Sequence, residues 1–247
     1  IVVFLSRSIM STERTDIILI TGGSGFLGSH ITKLLLENDE KTQEIRIIDI
    51  ESPQEYMIRE HSLPAVHYIS GDVRDIESMD RAFQGVDYVI HCAAVISLGC
   101  HPQTKLMDGV NIEGTKNVVE MCLKHGVKGL ILTSTTDAII PDHGDITNGT
   151  EEDFMFNDKH GLMIQAYGSS KAASEEIVLS ANGLQASTAG STKLRTMVLR
   201  PTALYGEGDK YFVTSSLRHA AASRGVLVRY GRLRSRIQKT YVGNAAW

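Results

Sequence analysis

The first apolar cluster, Ile17 to Ile20, is a short unbroken run; after a glycine-rich turn, Phe26, Leu27, Ile31, Leu34 and Leu35 recur at helical spacing. This predicts a strand, a tight turn and a helix. Further strand-like runs lie at Ile45 to Ile50, Val66 to Ile69, Val86 to Cys92, Leu130 to Leu132 and Met197 to Leu199, with helical periodicity between several of them, as at Val118 to Lys124. Such alternation predicts an α/β protein built on a doubly wound parallel sheet, because parallel strands need crossovers and the crossover helices bury both faces. The expected division is an N-terminal extension over 1–15, a nucleotide-binding unit over 16–200 and the start of a smaller substrate-binding region over 201–247.

Two stretches break the pattern. Pro141 to Gly161 is rich in Asp, Asn, Gly and Thr, and its length predicts an active-site loop or a partly disordered one; Ser180 to Thr192 reads as a surface excursion. The Asn148-Gly149-Thr150 sequon is of a kind common by chance. With 247 residues, 42% hydrophobic and 22% charged, the chain has enough apolar material for a substantial core. Its formal charge of −4 gives no case for nucleic acid. Charge is uneven, however: Lys210 to Trp247 holds eight basic residues and no acidic one, against 17 basic and 29 acidic before it, a net of −12. Acidic partners in a further part of the protein explain this segment, or a cationic face near anionic lipid. Cys92, Cys100 and Cys122 are an odd number without metal-binding spacing, which predicts no bound metal and fits a reducing compartment, the cytoplasm. The opening IVVFL is too short for a secretory signal or a membrane span, and Met10 with its polar successors reads as a start, so residues 1–9 are set aside.

Gly22, Gly25 and Gly28 stand in TGGSGFLG between the first strand and helix, where a tight turn and free helix amides suit a pyrophosphate. Taken alone, such glycines are as often a turn without a ligand. Asp49 changes the balance: it ends the second strand 21 residues after Gly28, where a carboxylate accepts hydrogen bonds from an adenosine ribose. The same carboxylate, with Glu51 close behind, repels a 2′-phosphate, so NAD is expected over NADP. Arg46 lies on the strand before the acid and is a poor phosphate ligand.

Tyr167 and Lys171, in YGSSKAASEEIVL, fall on one face of a predicted helix. A phenol is a weak base at neutral pH, and a nearby ammonium brings it toward the working range. The bland alternative is a Tyr/Lys pair on an exposed helix. Thr135, at a strand end in LILTSTTD, offers a hydroxyl for a substrate oxygen; Ser134 competes for that part, and strand-end capping explains either. Hydroxyl, phenol and ammonium above a dinucleotide are what alcohol oxidation by hydride transfer needs.

These residues resemble the extended short-chain dehydrogenase/reductases, whose fold is the Rossmann fold, and more closely their 3β-hydroxysteroid dehydrogenase branch. The resemblance runs from about Ile17 to Trp247 through TGGSGFLG, GDVRD from Gly71, NIEGTKNVVE from Asn111, YGSSKA from Tyr167, LRPTALYGEGD from Leu199 and the terminal YVGNAAW. It implies Tyr167 as acid/base, Lys171 as the residue that orients the nicotinamide ribose and lowers the phenol's pKa, and Thr135 as the Ser/Thr of the site. For the cofactor it implies the turn residues Gly22, Gly25, Phe26, Leu27 and Gly28 with Asp49; Asp72 and Val73 at the adenine; Ala93 and Ala94 beside the cofactor; and Asn111, Arg200 and Pro201 near the nicotinamide. Read from the residues alone, Asn111 caps a helix and Asp72 is an ordinary turn residue equally well. The implied reaction is NAD-dependent oxidation of a steroid or sterol 3β-hydroxyl, with or without Δ5 isomerisation. The alternatives are a decarboxylating sterol-4α-carboxylate 3-dehydrogenase and a non-catalytic NAD-binding regulatory module. Relatives usually carry Glu-Val after the catalytic hydroxyl where this chain has Asp137-Ala138. They also continue beyond YVGN into a cap and a hydrophobic segment that binds the cytosolic face of the endoplasmic reticulum membrane, so this sequence reads as a fragment. An oligomer is compatible with the resemblance.

Overall fold

The computed structural model describes residues 15–53, 64–98, 101–140, 164–187, 192–227 and 238–247. Six parallel strands, β1 (Asp16–Thr21), β2 (Thr42–Asp49), β3 (Ala65–Ser70), β4 (Tyr88–His91), β5 (Gly129–Thr133) and β6 (Arg195–Leu199), form a sheet in the order β3-β2-β1-β4-β5-β6. The order reverses between β1 and β4, and ligands of doubly wound sheets bind in the crevice beyond the strand ends at that point. All six expected strands are present. Two ends differ: β4 is shorter than the Val86 to Cys92 run, and β2 stops at Asp49, leaving Ile50 70% exposed.

Alternation along β1 explains why its apolar run is unbroken. Leu19 points to one face with Val89, Leu130, Val118, Met79 and Phe83, while Ile18 and Ile20 point to the other with Ile31, Ile45 and Ile47. The first face is covered by α2 (Ile76–Phe83), α4 (Gly114–His125) and α5 (Gln165–Ser180). On the second lies α1 (Phe26–Asn38), joined by α7 (Val242–Ala246), whose Ala246 enters the same apolar cluster. Between α3 (Thr104–Met107) and α4 the helix widens into a π turn, Asp108–Glu113, which carries Asn111. After β6 come β7 (Ala203–Tyr205), α6 (Val213–Ala222) and β8 (Lys239–Tyr241), with β7 and β8 paired in parallel.

Among the described residues no helix is long and apolar enough to cross a membrane, and no group of three or more His, Cys, Asp or Glu could hold a metal. Residues 1–9, the whole Pro141 to Gly161 stretch with its sequon, Cys100 and Arg229, Arg232, Arg234 and Arg236 lie outside the described residues.

Candidate active site

The glycine turn is held from three sides. Gly22 has φ +70°, open to glycine at little cost, and a Cβ there would meet the Ala93 amide nitrogen at 2.6 Å. A Cβ on Gly28 would lie 2.3 Å from the Gly22 carbonyl oxygen, so β1 and α1 approach this closely only without side chains. Gly25 caps α1, and no side chain caps the amides of the first turn, which begins with Phe26 and Leu27. Asp49 organises the turn from the neighbouring strand, its carboxylate accepting the Ser24 amide at 3.0 Å and the Glu51 amide at 3.1 Å. The Ser24 hydroxyl is buried without a protein partner among the described residues. Arg46 is engaged elsewhere, with Glu44 at 2.7 Å and the carbonyls of Ala82 and Gln84.

Beside the turn, Thr21, His91 and Ala93 join the ends of β1 and β4. The Thr115 hydroxyl donates to the Asn111 carbonyl at 2.6 Å, so the 2.9 Å contact between Thr115 Oγ1 and His91 Nε2 requires a proton on that nitrogen; Nδ1 then accepts from Thr21 Oγ1 at 2.6 Å. Burial, with the Lys171 ammonium as a smaller cause, lowers the His91 pKa to about 3 and keeps the ring neutral. The Asn111 side chain clasps the backbone of Val95, accepting from its amide at 2.8 Å and donating to its carbonyl at 3.0 Å, and also donates to Ser170 on α5 at 2.9 Å. It therefore ties α5 to the segment after β4 that holds Ala93 and the exposed Ala94.

Helix α5 buries an unusually polar face: Tyr167, Ser170, Lys171, Ser174 and Glu175. Tyr167 is 7% exposed and Lys171 2% exposed, which excludes the exposed-helix alternative. Ser170 and Ser174 find carbonyls, and Glu175 binds Arg200, its Oε2 accepting from Nη2 at 2.6 Å. Among the described residues no hydrogen bond engages Tyr167 Oη or Lys171 Nζ. Burial brings the Lys171 pKa down to about 8, opposed by Cys92 and Glu175. The Tyr167 phenol is pushed well above its ordinary range, first by burial and then by the Asp137 carboxylate. This differs from the expectation that Lys171 would draw the phenol downward: desolvation of the would-be phenolate dominates, and the charge that acts on it is the negative one of Asp137.

Thr135 lies where β5 ends, and its register is fixed by β6: the Ser134 amide donates to the Leu199 carbonyl at 2.7 Å and the Thr136 amide to the Pro201 carbonyl at 3.1 Å. Its hydroxyl donates to Asp137 Oδ2 at 3.0 Å and accepts the Asp137 amide at 3.2 Å, the capping arrangement. The neighbouring Ser134 hydroxyl is buried without a partner among the described residues. The sequence already sets Ser134 against Thr135, whereas Asp137, Glu175 and His91, to which no motif gives a part, are coupled electrostatically to Tyr167 or Lys171. A carboxylate four residues beyond Lys171, on the same helical face, is the signal by which Glu175 could have been found. Of the two residues expected at the adenine, Asp72 is bound by Arg74, at 2.6 Å from Nη2, and Val73 is buried, its carbonyl accepting from Asn117.

A glycine turn at the reversal of a 3-2-1-4-5-6 sheet, with a buried Tyr-x-x-x-Lys pair on the helix before β6, is the design of the extended short-chain dehydrogenase/reductases. The Thermus thermophilus UDP-glucose 4-epimerase in complex with NAD has this architecture, with a TM-score of 0.70 and 26% identity over 93% of this chain and 72% of that one. Residues 19–247 match the family model of the 3-beta hydroxysteroid dehydrogenase/isomerase family, and the chain belongs to that family. It is 37% identical to the 3 beta-hydroxysteroid dehydrogenase/Delta 5-->4-isomerase of vaccinia virus (strain Copenhagen) over 92% of this chain, and 33% identical to the mouse 3 beta-hydroxysteroid dehydrogenase type 7 over 94%. The chain spans 63% and 62% of the lengths of those two relatives.

Proposed function

We propose that the protein is an NAD-dependent dehydrogenase that oxidises the 3β-hydroxyl of a steroid or sterol to the 3-ketone. The observation that carries this reading is the burial, on one face of α5, of a phenol and an ammonium that no described residue engages. Leaving such groups unpaired costs stability that a purely structural helix face would avoid. The alternative of a regulatory module leaves that cost unexplained.

The residues fit a dinucleotide. Gly22, Gly25 and Gly28 leave a cradle that side chains would fill, and among the described residues no side chain caps the amides from Phe26 onward and the Ser24 hydroxyl lacks a partner. Asp49 takes the ribose, and its charge disfavours a 2′-phosphate. Asp72 and Val73 border the adenine, Ala93 and Ala94 the middle of the cofactor, and Asn111, Arg200 and Pro201 the nicotinamide end through the backbone segments they hold. When bound, NAD supplies the hydride acceptor. As its phenolate, Tyr167 Oη takes the alcohol proton while the C3 hydrogen departs as hydride, Lys171 orients the nicotinamide ribose, and the Thr135 or Ser134 hydroxyl holds the substrate oxygen. Residues 16–200 form the cofactor unit and 201–247 begin the substrate-capping region. The homologues named for 3β-hydroxysteroid dehydrogenation at 37% and 33% identity support the choice of substrate class.

The test is NADH formation with a 3β-hydroxy-Δ5 steroid and, separately, a 4α-carboxysterol. Turnover of the first supports the proposal; turnover of the second alone replaces it by the decarboxylating reaction, and NAD binding without turnover of either removes the dehydrogenase reading.

A further inference from the structure

We propose that Glu175 is a positioning residue of the Tyr167/Lys171 site: from one turn beyond Lys171 it supplies the carboxylate that balances the buried ammonium, and through Arg200 it fixes that turn of α5 to the end of β6. The inference rests on Lys171 belonging to the active site but goes beyond the reaction assigned to it.

Three observations meet at this residue. Tyr167, Lys171 and Glu175 follow at intervals of four, so they line one helical face from the crevice inward. The Glu175 side chain is 6% exposed, and both of its oxygens accept from Arg200, Oε1 from Nε at 3.0 Å and Oε2 from Nε at 3.1 Å and from Nη2 at 2.6 Å. Arg200 directly follows β6, whose neighbouring carbonyls at Leu199 and Pro201 hold Ser134 and Thr136. One ion pair thus connects the helix bearing the phenol with the end of β6, whose flanking carbonyls hold the β5 end that bears the hydroxyls. A bidentate, largely buried pair resists sliding of α5 along the sheet, which a lone hydrogen bond would not.

The electrostatic half of the argument concerns what surrounds the ammonium. The titratable groups coupled to Lys171 are His91 at the end of β4, Cys92 just after it and Glu175 on its own helix, with Arg200 paired to Glu175; Tyr167 stands one turn before Lys171 and is influenced by Asp137. His91 is neutral, and burial pushes the Cys92 thiol up to about 11, which leaves Glu175 as the carboxylate acting on Lys171 among the described residues.

The experiment is an NMR titration of the Lys171 side-chain Cε and Hε resonances in lysine-labelled protein, assigned by Lys171→Met, comparing the native residue with Glu175→Gln. Loss of the balancing charge should lower the Lys171 midpoint, by on the order of half a pH unit or more. A merely structural role predicts the opposite sign, since loosening the helix admits water and raises the midpoint toward 10.5. An unchanged or raised midpoint overturns the proposal. If Glu175→Gln fails to fold, Glu175→Gln/Arg200→Met removes both charges together and leaves neither buried alone; the midpoint should still fall, by less, and no fall overturns the proposal equally. The titration needs neither dinucleotide nor steroid, so failure of the steroid assay and failure of this inference are separate results.

Discussion

At the scale of single residues, the site is defined by groups whose charged forms the fold disfavours. Burial and Asp137 both oppose a Tyr167 phenolate, so the rate of alcohol oxidation should rise with pH as the phenol ionises. Asp137→Asn removes the negative neighbour, stabilises the phenolate and should move the rising limb of the pH–rate profile to lower pH; a limb that moves upward or stays in place would contradict this role for Asp137. His91 gives a stability prediction of definite sign. Its pKa is about 3 in the fold against an ordinary 6.5, so between those values the unfolded chain binds more protons and folding stability falls as pH falls. Denaturant unfolding at about pH 6.5 and about pH 4.5 should show this loss, and His91→Gln should lessen the pH dependence while weakening the Thr21–Thr115 bridge. Lys171 has the complementary character. A cation whose pKa is lowered to about 8 costs stability below that value, and the cost fades as pH rises from about 8 toward 10.5. Lys171→Met should therefore stabilise the protein near neutral pH by roughly 1–3 kcal/mol while weakening dinucleotide binding.

At the scale of elements, the glycine turn joins packing to chemistry. Gly28→Ala places a methyl against the Gly22 carbonyl at 2.3 Å, a contact with backbone that no rotamer relieves. The expected cost is roughly 1–3 kcal/mol with loss of dinucleotide affinity; retention of both would mean that α1 shifts freely against β1. This turn was legible in the sequence because its chemistry is local, with three glycines at fixed spacing and an acid one strand later. The strands were legible for a similar reason, since a parallel strand buried on both faces writes an unbroken apolar run. The π turn at Asp108–Glu113 was not, because its cause is tertiary: Asn111 is drawn inward to clasp Val95 and Ser170, contacts 16 and 59 residues away. Thr135 shows the same limit. Motif position selects it, yet its hydroxyl is spent on Asp137 while the Ser134 hydroxyl is buried without a partner among the described residues, a distinction set by the β5–β6 register.

At the scale of the whole molecule, the two apolar clusters on opposite faces of the sheet bring glycine turn, Asn111 and α5 to one crevice, and the terminal YVGNAAW folds back so that Ala246 packs beneath α1. No periodicity in that short segment announces such a return; it follows from where β7 and β8 leave the chain. A ligand that binds only the folded state stabilises it by mass action, so NAD at a hundredfold excess over its Kd should raise the unfolding free energy by about 2.7 kcal/mol, and NADP at the same concentration should do markedly less.

The most direct test of the central claim is single-turnover NADH formation from a 3β-hydroxysteroid by native protein and by Tyr167→Phe, with NAD affinity measured in parallel. Transfer of the alcohol proton to Tyr167 predicts a rate lower by about 10²- to 10⁴-fold, roughly 3–5 kcal/mol in barrier, with NAD affinity essentially preserved. An undiminished rate in the phenylalanine variant would contradict it.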